Sequence, residues 1–412
     1  MAAPPNLPPP DKLLEMADQY LKELEKGPWP SHVAEMRKTG YPLHVYGVGL
    51  VARKSPWGPS VVKTKRLTGV LARIARDWVP KGGEEVHFRV FHTPGRFLPT
   101  SYLRGIIKVA REYGIGLVEV VGQTGAMVIN VKSKEVGDAM IEALRQIGTD
   151  VGGSGDAIRE LNTCVGPALC EFALYDTLKW FTEFRKDKKI QDAIAVPGFP
   201  YKFKIKFSGC PMDCGRANRA DLGFIGTWKG APEVDQELLR RKIEAGEVDP
   251  NDLVSKCAGG AISWDAEKKE LRIDGSRCKK CMYCIRRAYP AIKPGRERRV
   301  AVVVGGGSKG RYGPKLGWFV GYLKPDEAQK GIELAFKIIE PWDKEAQAKV
   351  RLGDYILMAG LYQFIEKAGI QLEDTPRLIE KVPDNVPYRV LPEEERKKYA
   401  QFAEELRREV GI

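Results

Sequence analysis

The eight cysteines of this chain form two groups of four, and all of them lie between residues 164 and 284. The first group is a C-x5-C pair followed by a C-x3-C pair: Cys164, Cys170, Cys210 and Cys214. The second group is one distant cysteine and a C-x2-C-x2-C run: Cys257, Cys278, Cys281 and Cys284. Four thiolates that converge on one cavity can hold a 4Fe-4S cluster, and short gaps let neighbouring cysteines reach adjacent irons. Each group therefore predicts an iron-sulfur cluster, and the second has ferredoxin-like spacing.

Structural zinc and disulfide bonds are the two alternatives for these cysteines. Zinc tetrads usually consist of two C-x2-C knuckles, whereas Cys278 to Cys284 is a triple run, so zinc stays open as the less favoured metal. Disulfides form in oxidising compartments, but residues 1–10 are proline-rich and lack the apolar segment of a secretory signal. The sequence therefore favours a cytoplasmic protein whose cysteines bind metal.

The spacing of the first group resembles the signature of the sirohaem-dependent sulfite and nitrite reductases. In that family the four cysteines hold a 4Fe-4S cluster, and the last of them also bridges to the sirohaem iron. The resemblance implies that Cys214 is this bridge. A shared thiolate would couple the cluster directly to the haem iron.

A lysine-rich stretch precedes the second cysteine pair. Residues 200–207 alternate between lysine and apolar side chains, and this period of two predicts a β-strand. The lysines on one face are Lys202, Lys204 and Lys206, and the apolar residues on the other are Tyr201, Phe203, Ile205 and Phe207. Taken alone, the stretch is typical of an ordinary strand with a solvated lysine face. In the family, two lysines of such a strand face the substrate anion, and the matching positions are Lys202 and Lys204.

Two arginines match the remaining basic positions of the family's anion pocket. Arg159 lies five positions before Cys164, and Arg89 precedes the sequence Thr93-Pro94-Gly95. Sulfite is a small oxyanion, and fixed guanidinium and ammonium groups can bind it and polarise its S–O bonds. Lysine can also donate protons, which arginine does not. The resemblance therefore implies that Arg89, Arg159, Lys202 and Lys204 are the catalytic residues.

The second cysteine group narrows the resemblance to the dissimilatory sulfite reductases, in which a ferredoxin-like insertion follows the first tetrad. Residues 152–156, 170–177 and 225–228 resemble the alpha subunits of these enzymes. The resemblance implies reduction of sulfite toward sulfide, or the reverse reaction, with sirohaem or its metal-free form and two 4Fe-4S clusters. It also implies a paralogous beta subunit in an α2β2 assembly, an electron-donor protein and a small sulfur-carrier protein. In the family, basic residues of one subunit face a sirohaem tied to the cluster of its partner.

Two other functions remain open from the sequence, and a third, nucleic-acid binding, is disfavoured. An assimilatory-type sulfite or nitrite reductase would use the same basic pocket, and a non-catalytic electron-transfer or assembly subunit would need only the clusters. The net charge of +13 and the isoelectric point of 9.2 are typical of many nucleic-acid-binding proteins. However, the chain has no helix-turn-helix, RNA-recognition or zinc-finger spacing, and basic residues also suit the carboxylates of sirohaem. We therefore expect no nucleic-acid partner.

The order of elements predicts an α+β fold with sirohaem sulfite/nitrite reductase-like half-repeats, an inserted ferredoxin-like domain and helical N- and C-terminal segments. The expected parts are an N-terminal segment (1–80), a first half-repeat (81–150), a cluster-binding half-repeat (151–236 with 298–325), the insertion (237–297) and a C-terminal helical segment (326–412). The longest apolar run, Val300–Val304, is far too short to cross a bilayer. We therefore expect no direct membrane insertion.

Hydrophobic periodicity places individual elements within this plan. Strands are predicted at residues 85–90, 116–121, 126–131, 299–304 and 319–324, and helices at 11–26, 101–113, 135–147, 327–339, 344–367 and 393–410. The glycine run Gly305–Gly307 lacks the spacing of a phosphate-binding loop, and we expect it to approach the cofactor or its own sheet. The tryptophans are expected in the core, with Trp228 near the cofactor.

Overall fold

The computed structural model describes residues 61–67, 70–75, 84–121, 126–131, 136–153, 156–159, 161–195 and 198–376, with the isolated positions Glu15, Gln19, Lys22, Lys26 and Gln401. The chain divides into two units, Met1–Pro376 and Arg377–Ile412, and every element below belongs to the first. The helices predicted at 11–26 and 393–410 lie outside the described ranges. Within the described part, no helix combines the length and the hydrophobicity needed to span a bilayer.

The first sheet has five antiparallel strands in the order β1-β2-β3-β5-β4. Its strands are β1 (Val61–Leu67), β2 (Val70–Ala75), β3 (Glu84–Val90), β4 (Gly114–Val121) and β5 (Ala126–Val131). Helices α1 (Thr100–Glu112) and α2 (Gly137–Gln146) pack with this sheet around a core that includes Phe88, Ile106, Ile129, Met140 and Leu144. The buried residues Ile106, Val109 and Ala110 of α1 share one face because helix neighbours lie three and four positions apart. These strands and helices confirm the predicted elements between residues 85 and 147.

The second sheet also has five strands, in the order β14-β13-β8-β7-β6, but it is mixed. Its strands are β6 (Asn162–Thr163), β7 (Ile205–Ser208), β8 (Leu222–Trp228), β13 (Arg298–Val304) and β14 (Trp318–Leu323). The pairs β6–β7 and β7–β8 are parallel, whereas β8–β13 and β13–β14 are antiparallel. Helices α3 (Thr177–Lys186) and α4 (Lys188–Ala195) connect β6 to β7, which is the long crossover that parallel strands require. The second sheet therefore combines parallel and antiparallel pairs, unlike the fully antiparallel first sheet.

The insertion between β8 and β13 is built from short elements. They are β9 (Glu233–Val234), α5 (Gln236–Glu244), α6 (Pro250–Ser255), β10 (Ile262–Asp265), β11 (Glu270–Ile273), α7 (Tyr283–Ala288) and β12 (Ile292–Lys293). Strands β10 and β11 pair with each other, and β12 pairs back to β9. Asp235 and Asp249 cap α5 and α6 by accepting backbone N–H groups of Leu238 and Asn251. The insertion has its own apolar core, which includes Leu239, Leu253 and Ile285.

Three C-terminal helices pack on the second sheet: α8 (Ala328–Glu345), α9 (Leu352–Ala359) and α10 (Leu361–Lys367). The prediction of one helix from 344 to 367 is wrong, because α8 continues to Glu345 and the remaining segment breaks at Gly360. This glycine adopts φ 86° and ψ 140°, which is not a helical conformation. Only glycine reaches such a backbone geometry without steric cost.

Candidate active site and cluster sites

The first cysteine group lies where β6 and β7 end. Cys164 follows β6 directly, and Cys210 follows β7 by two residues. Because β6 and β7 are parallel neighbours, their carboxyl ends meet at the same edge of the sheet. The backbone N–H of Cys164 donates to the carbonyl oxygen of Phe207 at 3.1 Å, and the N–H of Gly209 donates to Cys164 Sγ at 3.2 Å. Sheet pairing therefore places both halves of the first group side by side.

The four thiols of this group act on one another electrostatically. Burial raises the pKa of Cys210 to about 11, and the nearby thiols of Cys170, Cys214 and Cys164 add to the effect. Burial also raises the pKa of Cys214, with contributions from Cys164 and Cys170. Thiolates crowded in this way need a compensating cation, and iron bound to them supplies it. The first group is therefore brought together in a form that fits a thiolate-bound cluster.

The second group converges within the insertion. Cys257 follows α6, Cys284 lies in α7, and the loop before α7 carries the other two cysteines, Cys278 and Cys281. Burial raises the pKa of Cys284 to about 12, and Cys278 and Cys281 raise it further. The backbone N–H groups of Ala261 and Lys280 donate to the sulfurs of Cys257 and Cys278, at 3.2 Å and 3.4 Å. Backbone donors to sulfur are a usual feature of iron-sulfur sites, where they help to set the potential.

Neither cysteine group is arranged as the ligand set of one single metal ion. Among the described residues, no three Cys, His, Asp or Glu side chains converge as ligands of one metal ion. A 4Fe-4S cluster does not require that convergence, because each of its four thiolates binds a different iron. The second group instead surrounds a small pocket, and the residues that line it include Trp228, Met282, Ile285 and the four cysteines.

The four predicted basic residues also come together. Arg89 lies in β3, Arg159 in the segment before β6, and Lys202 and Lys204 just before β7. The N–H of Arg159 donates to the carbonyl of Phe203 at 2.7 Å. Burial lowers the pKa of Arg159, and the charge of Arg89 lowers it further. The two arginines and the lysine segment therefore share one region, although the sequence separates them widely.

Lys202 and Lys204 are half-buried, and the same neighbouring positive charges lower the pKa of both. Burial lowers the pKa of Lys202 to about 7, and the charges of Arg351 and Lys204 add to the lowering. Burial also lowers the pKa of Lys204, although the carboxylate of Asp221 opposes the shift. The further lowering of the Lys204 pKa comes from Arg351, Arg159 and Arg89. We call Arg89, Arg159, Lys202, Lys204 and Arg351 the basic cluster.

Two members of this region were missed by the sequence prediction. Arg351 is 6% exposed and Asp221 is fully buried, and Arg351 Nη2 donates to Asp221 Oδ2 at 2.8 Å. The same carboxylate oxygen accepts the backbone N–H of Lys204 at 3.0 Å. Nothing in the spacing of the sequence connects residue 351 to the lysine segment, and only the packing of the chain before α9 reveals it.

Lys206 is buried, whereas the alternation in the sequence is typical of a strand with a solvated lysine face. The regular strand begins only at Ile205, and Lys206 is 5% exposed. Burial lowers the pKa of Lys206 to about 8, the charge of Lys204 lowers it further, and Asp213 opposes the shift. Asp213 also accepts hydrogen bonds from Ser208 Oγ at 2.6 Å and the N–H of Asn218 at 3.0 Å. Lys206 thus lies between the basic cluster and the turn that carries Cys214.

Comparison with known proteins agrees with this arrangement. Residues 154–375 match the model of the nitrite and sulphite reductase 4Fe-4S domain. The chain is 29% identical to the dissimilatory-type sulfite reductase subunit alpha of Nitratidesulfovibrio vulgaris, over 92% of this chain and 95% of the relative. It is 23% identical to the corresponding subunit beta of Archaeoglobus fulgidus, over 79% of this chain and 86% of the relative.

A solved structure extends the similarity to the fold. The crystal structure of dissimilatory sulfite reductase I superimposes with a TM-score of 0.72 and 26% identity, covering 91% of this chain and 94% of that chain. This agreement supports the α+β architecture with its mixed sheet and helices. Since the family model covers more than half of the sequence, the chain belongs to the nitrite and sulphite reductase 4Fe-4S domain family.

Proposed function

We propose that this chain is the alpha subunit of a dissimilatory sulfite reductase, which reduces sulfite toward sulfide or runs the reverse reaction. The observation that carries the proposal is the convergence of Arg89, Arg159, Lys202 and Lys204 beside the segment that leads to Cys210. The alpha-subunit relative covers nearly the whole chain at higher identity than the beta-subunit relative. This difference favours the alpha type.

The basic cluster suits a small oxyanion such as sulfite. Guanidinium and ammonium groups form strong charge-assisted hydrogen bonds to anionic oxygens. The buried carboxylate of Asp221 pairs with Arg351. Besides burial, the charges of Arg351 and Arg159 nevertheless lower the pKa of Lys202 and Lys204, so the basic cluster carries an excess of positive charge. An incoming anion would offset that excess.

Reduction of sulfite consumes protons, and Lys202 is suited to supply one. Its pKa of about 7 places it between charged and neutral forms near physiological pH, where general acids work best. The arginines remain charged and hold the anion in place. We propose these roles for Lys202, Lys204, Arg159 and Arg89.

The first tetrad and its surroundings also fit a sirohaem tied to Cys214. Cys214 is exposed, unlike Cys164 and Cys210, and exposed apolar residues lie near the tetrad in sequence, namely Val165, Leu169 and Met212. Besides burial, the charges of Arg216 and Arg219 lower the pKa of nearby Lys206. These three cationic groups are available for the carboxylates of the tetrapyrrole. Cys214 would hold this group, and sirohaem would supply a redox-active iron for multi-electron chemistry.

The second tetrad then receives electrons from an external donor. We propose that Cys257, Cys278, Cys281 and Cys284 hold a second 4Fe-4S cluster in a ferredoxin-like domain at 237–297. The remaining parts are the first half-repeat at 81–150, the cluster-binding half-repeat at 151–236 with 298–325, and the terminal segments 1–80 and 326–412. Apolar cores around Phe88, Phe224 and Leu253 support three of these divisions, and the core around Leu253 also takes in Leu174 and Cys210 of the cluster-binding half-repeat.

We further propose an assembly with a paralogous beta subunit, since the relatives are named as alpha and beta subunits. The finer expectations are an α2β2 complex, an electron-donor protein and a small sulfur-carrier protein. A cytoplasmic location suits thiolate ligands, because they must stay reduced.

The decisive experiment is turnover by the complex purified with its beta subunit. We expect reduced donor to be oxidised when sulfite is added, with sirohaem present in the complex. Faster turnover on nitrite than on sulfite would instead favour an assimilatory-type enzyme. If the complex contains two clusters but neither sirohaem nor turnover, the chain is an electron-transfer or assembly subunit instead.

A further inference from the structure

Trp228 is a buried tryptophan whose side-chain donor has no acceptor. It ends β8, is fully buried, and its indole Nε1 has no hydrogen-bond partner within the part of the chain that the structure describes. Two other tryptophans are fully buried in the described part of the chain, and they differ in this respect. Trp180 donates to the carbonyl of Pro325 at 2.8 Å, and Trp342 donates to the carbonyl of Val350 at 3.1 Å.

An unpaired buried N–H calls for an explanation, because it has lost water without gaining an acceptor. Trp228 lines the pocket surrounded by the second tetrad. The sulfurs of that tetrad would be anionic once they hold a cluster, whereas the two lysines that line the pocket, Lys279 and Lys280, only donate. Tyr283 also lines the pocket, but its hydroxyl is engaged with Asp252 at 2.6 Å. The acceptor that Trp228 lacks is therefore of the kind that a cluster in this pocket provides.

We propose that the indole N–H of Trp228 donates a hydrogen bond to a sulfur of the 4Fe-4S cluster at the second tetrad and raises the reduction potential of that cluster. The inference rests on the cofactor content of the proposed function. Reduction adds negative charge to the cluster, and a donor to an anionic sulfur stabilises the more negative state more strongly. Trp228 thus makes the second cluster a better electron acceptor.

The backbone around Trp228 holds the indole in place. A Cβ atom at Gly295 would lie 2.6 Å from Trp228 Cδ1, so the ring packs directly against the chain there. A Cβ at Gly226, two residues earlier in β8, would lie 2.1 Å from the carbonyl oxygen of Gly209, next to Cys210. Trp228, Cys210 and Cys284 also belong to one apolar cluster. The same strand therefore packs against Gly209, the residue before Cys210, and carries the tryptophan that lines the pocket of the second tetrad.

The test is an EPR-monitored redox titration of the complex purified with its beta subunit. Trp228→Phe keeps an aromatic ring and removes the N–H together with the rest of the five-membered ring, and the same loss of volume occurs in the control variant. We expect the equilibrium constant for reduction of the second cluster to fall about tenfold, which is a shift of about 59 mV to lower potential for a one-electron couple. Trp264→Phe is the matched control, because Trp264 lies in β10 of the insertion that carries the second tetrad but does not line the pocket. It should leave the potential unchanged.

A second measurement needs no change at Trp228. Pulsed EPR on wild-type protein with 15N-labelled indole should detect coupling between the reduced second cluster and one indole nitrogen, and Trp228→Phe should remove it. The signal of this cluster is assigned by its loss in Cys278→Ala. An unchanged potential together with absent 15N coupling overturns the inference while leaving the proposed function intact. Absence of any second cluster from the wild-type complex overturns both.

Discussion

Asp221 and Arg351 form a buried ion pair directly behind the lysine segment. The distance from Arg351 Nη2 to Asp221 Oδ2 is 2.8 Å, and the side chains are 7% and 0% exposed. Because Asp221 also accepts the backbone N–H of Lys204, one carboxylate fixes the lysine segment and offsets part of its positive charge. The basic cluster is therefore assembled by residues far apart in the chain.

Replacement of Asp221 should destabilise the protein strongly. Asp221→Asn leaves Arg351 as a buried and uncompensated charge, and breaking a buried pair in this way costs about 3–5 kcal/mol. Denaturant unfolding of the purified protein measures the change. Glu340→Gln, which breaks the exposed pair with Lys344, is the control and should leave the free energy of unfolding nearly unchanged. Equal effects of both changes would contradict the importance of the buried pair.

Lys202→Gln should abolish most sulfite reduction while both clusters remain. Loss of a general acid typically lowers a rate by about 10²–10⁴-fold, and Lys202 contributes positive charge as well. Turnover with a reduced donor, iron content and the EPR signals of the clusters are measured on the same preparation. Lys337→Gln replaces an exposed lysine of α8 and should retain full activity. An active Lys202→Gln enzyme with intact clusters would remove this lysine from the mechanism.

Anion affinity should fall as the pH rises through about 7. The pKa of Lys202 is lowered to about 7 by burial and by Arg351, so the ammonium group loses its proton above this pH and one positive charge disappears. Since a charge-assisted hydrogen bond contributes about 1.5–3 kcal/mol, the dissociation constant should rise roughly tenfold or more. Nitrite is the suitable probe, because it stays an anion throughout this range. The dependence should be absent in Lys202→Gln, and its persistence there would assign it to another group.

Cys278→Ser should separate electron supply from sulfite chemistry. The change removes one ligand of the second tetrad, so reduction by an external donor should slow markedly. The first tetrad shares none of these cysteines, and the absorption bands of sirohaem should remain. Stopped-flow absorption follows both quantities in one experiment. If the sirohaem bands disappear together with the second cluster, the second tetrad has a folding role instead.

The spacing of the cysteines could predict both cysteine groups, because spacing within short motifs is preserved when the chain folds. The resemblance to the sulfite and nitrite reductases instead predicted four members of the basic cluster: Arg89, Arg159, Lys202 and Lys204. Arg351 could not be predicted, since its place depends on the packing of α9 against the second sheet. Lys206 was expected to be solvated because lysines are rarely buried, and its burial beside Asp213 is a tertiary effect. The sequence also could not show whether neighbouring strands pair in parallel or antiparallel, because a period of two is the same in both.

The break between α9 and α10 illustrates a second limit. Apolar residues continue at helical spacing from Leu352 to Ile365, so periodicity predicted one helix. A single glycine is tolerated inside helices at a cost of about 1 kcal/mol, and the sequence alone does not show which conformation Gly360 adopts. Its φ of 86° ends α9 and starts a new helix.

The central claim is that one chain carries two clusters and a basic site that serves sirohaem. Absorption and EPR spectra, with iron, sulfide and zinc analysis, of the complex purified with its beta subunit test this claim most directly. The account predicts sirohaem bands, two 4Fe-4S clusters for each chain and a second subunit of similar size. Zinc in the cysteine groups, without tetrapyrrole or sulfide, would contradict it.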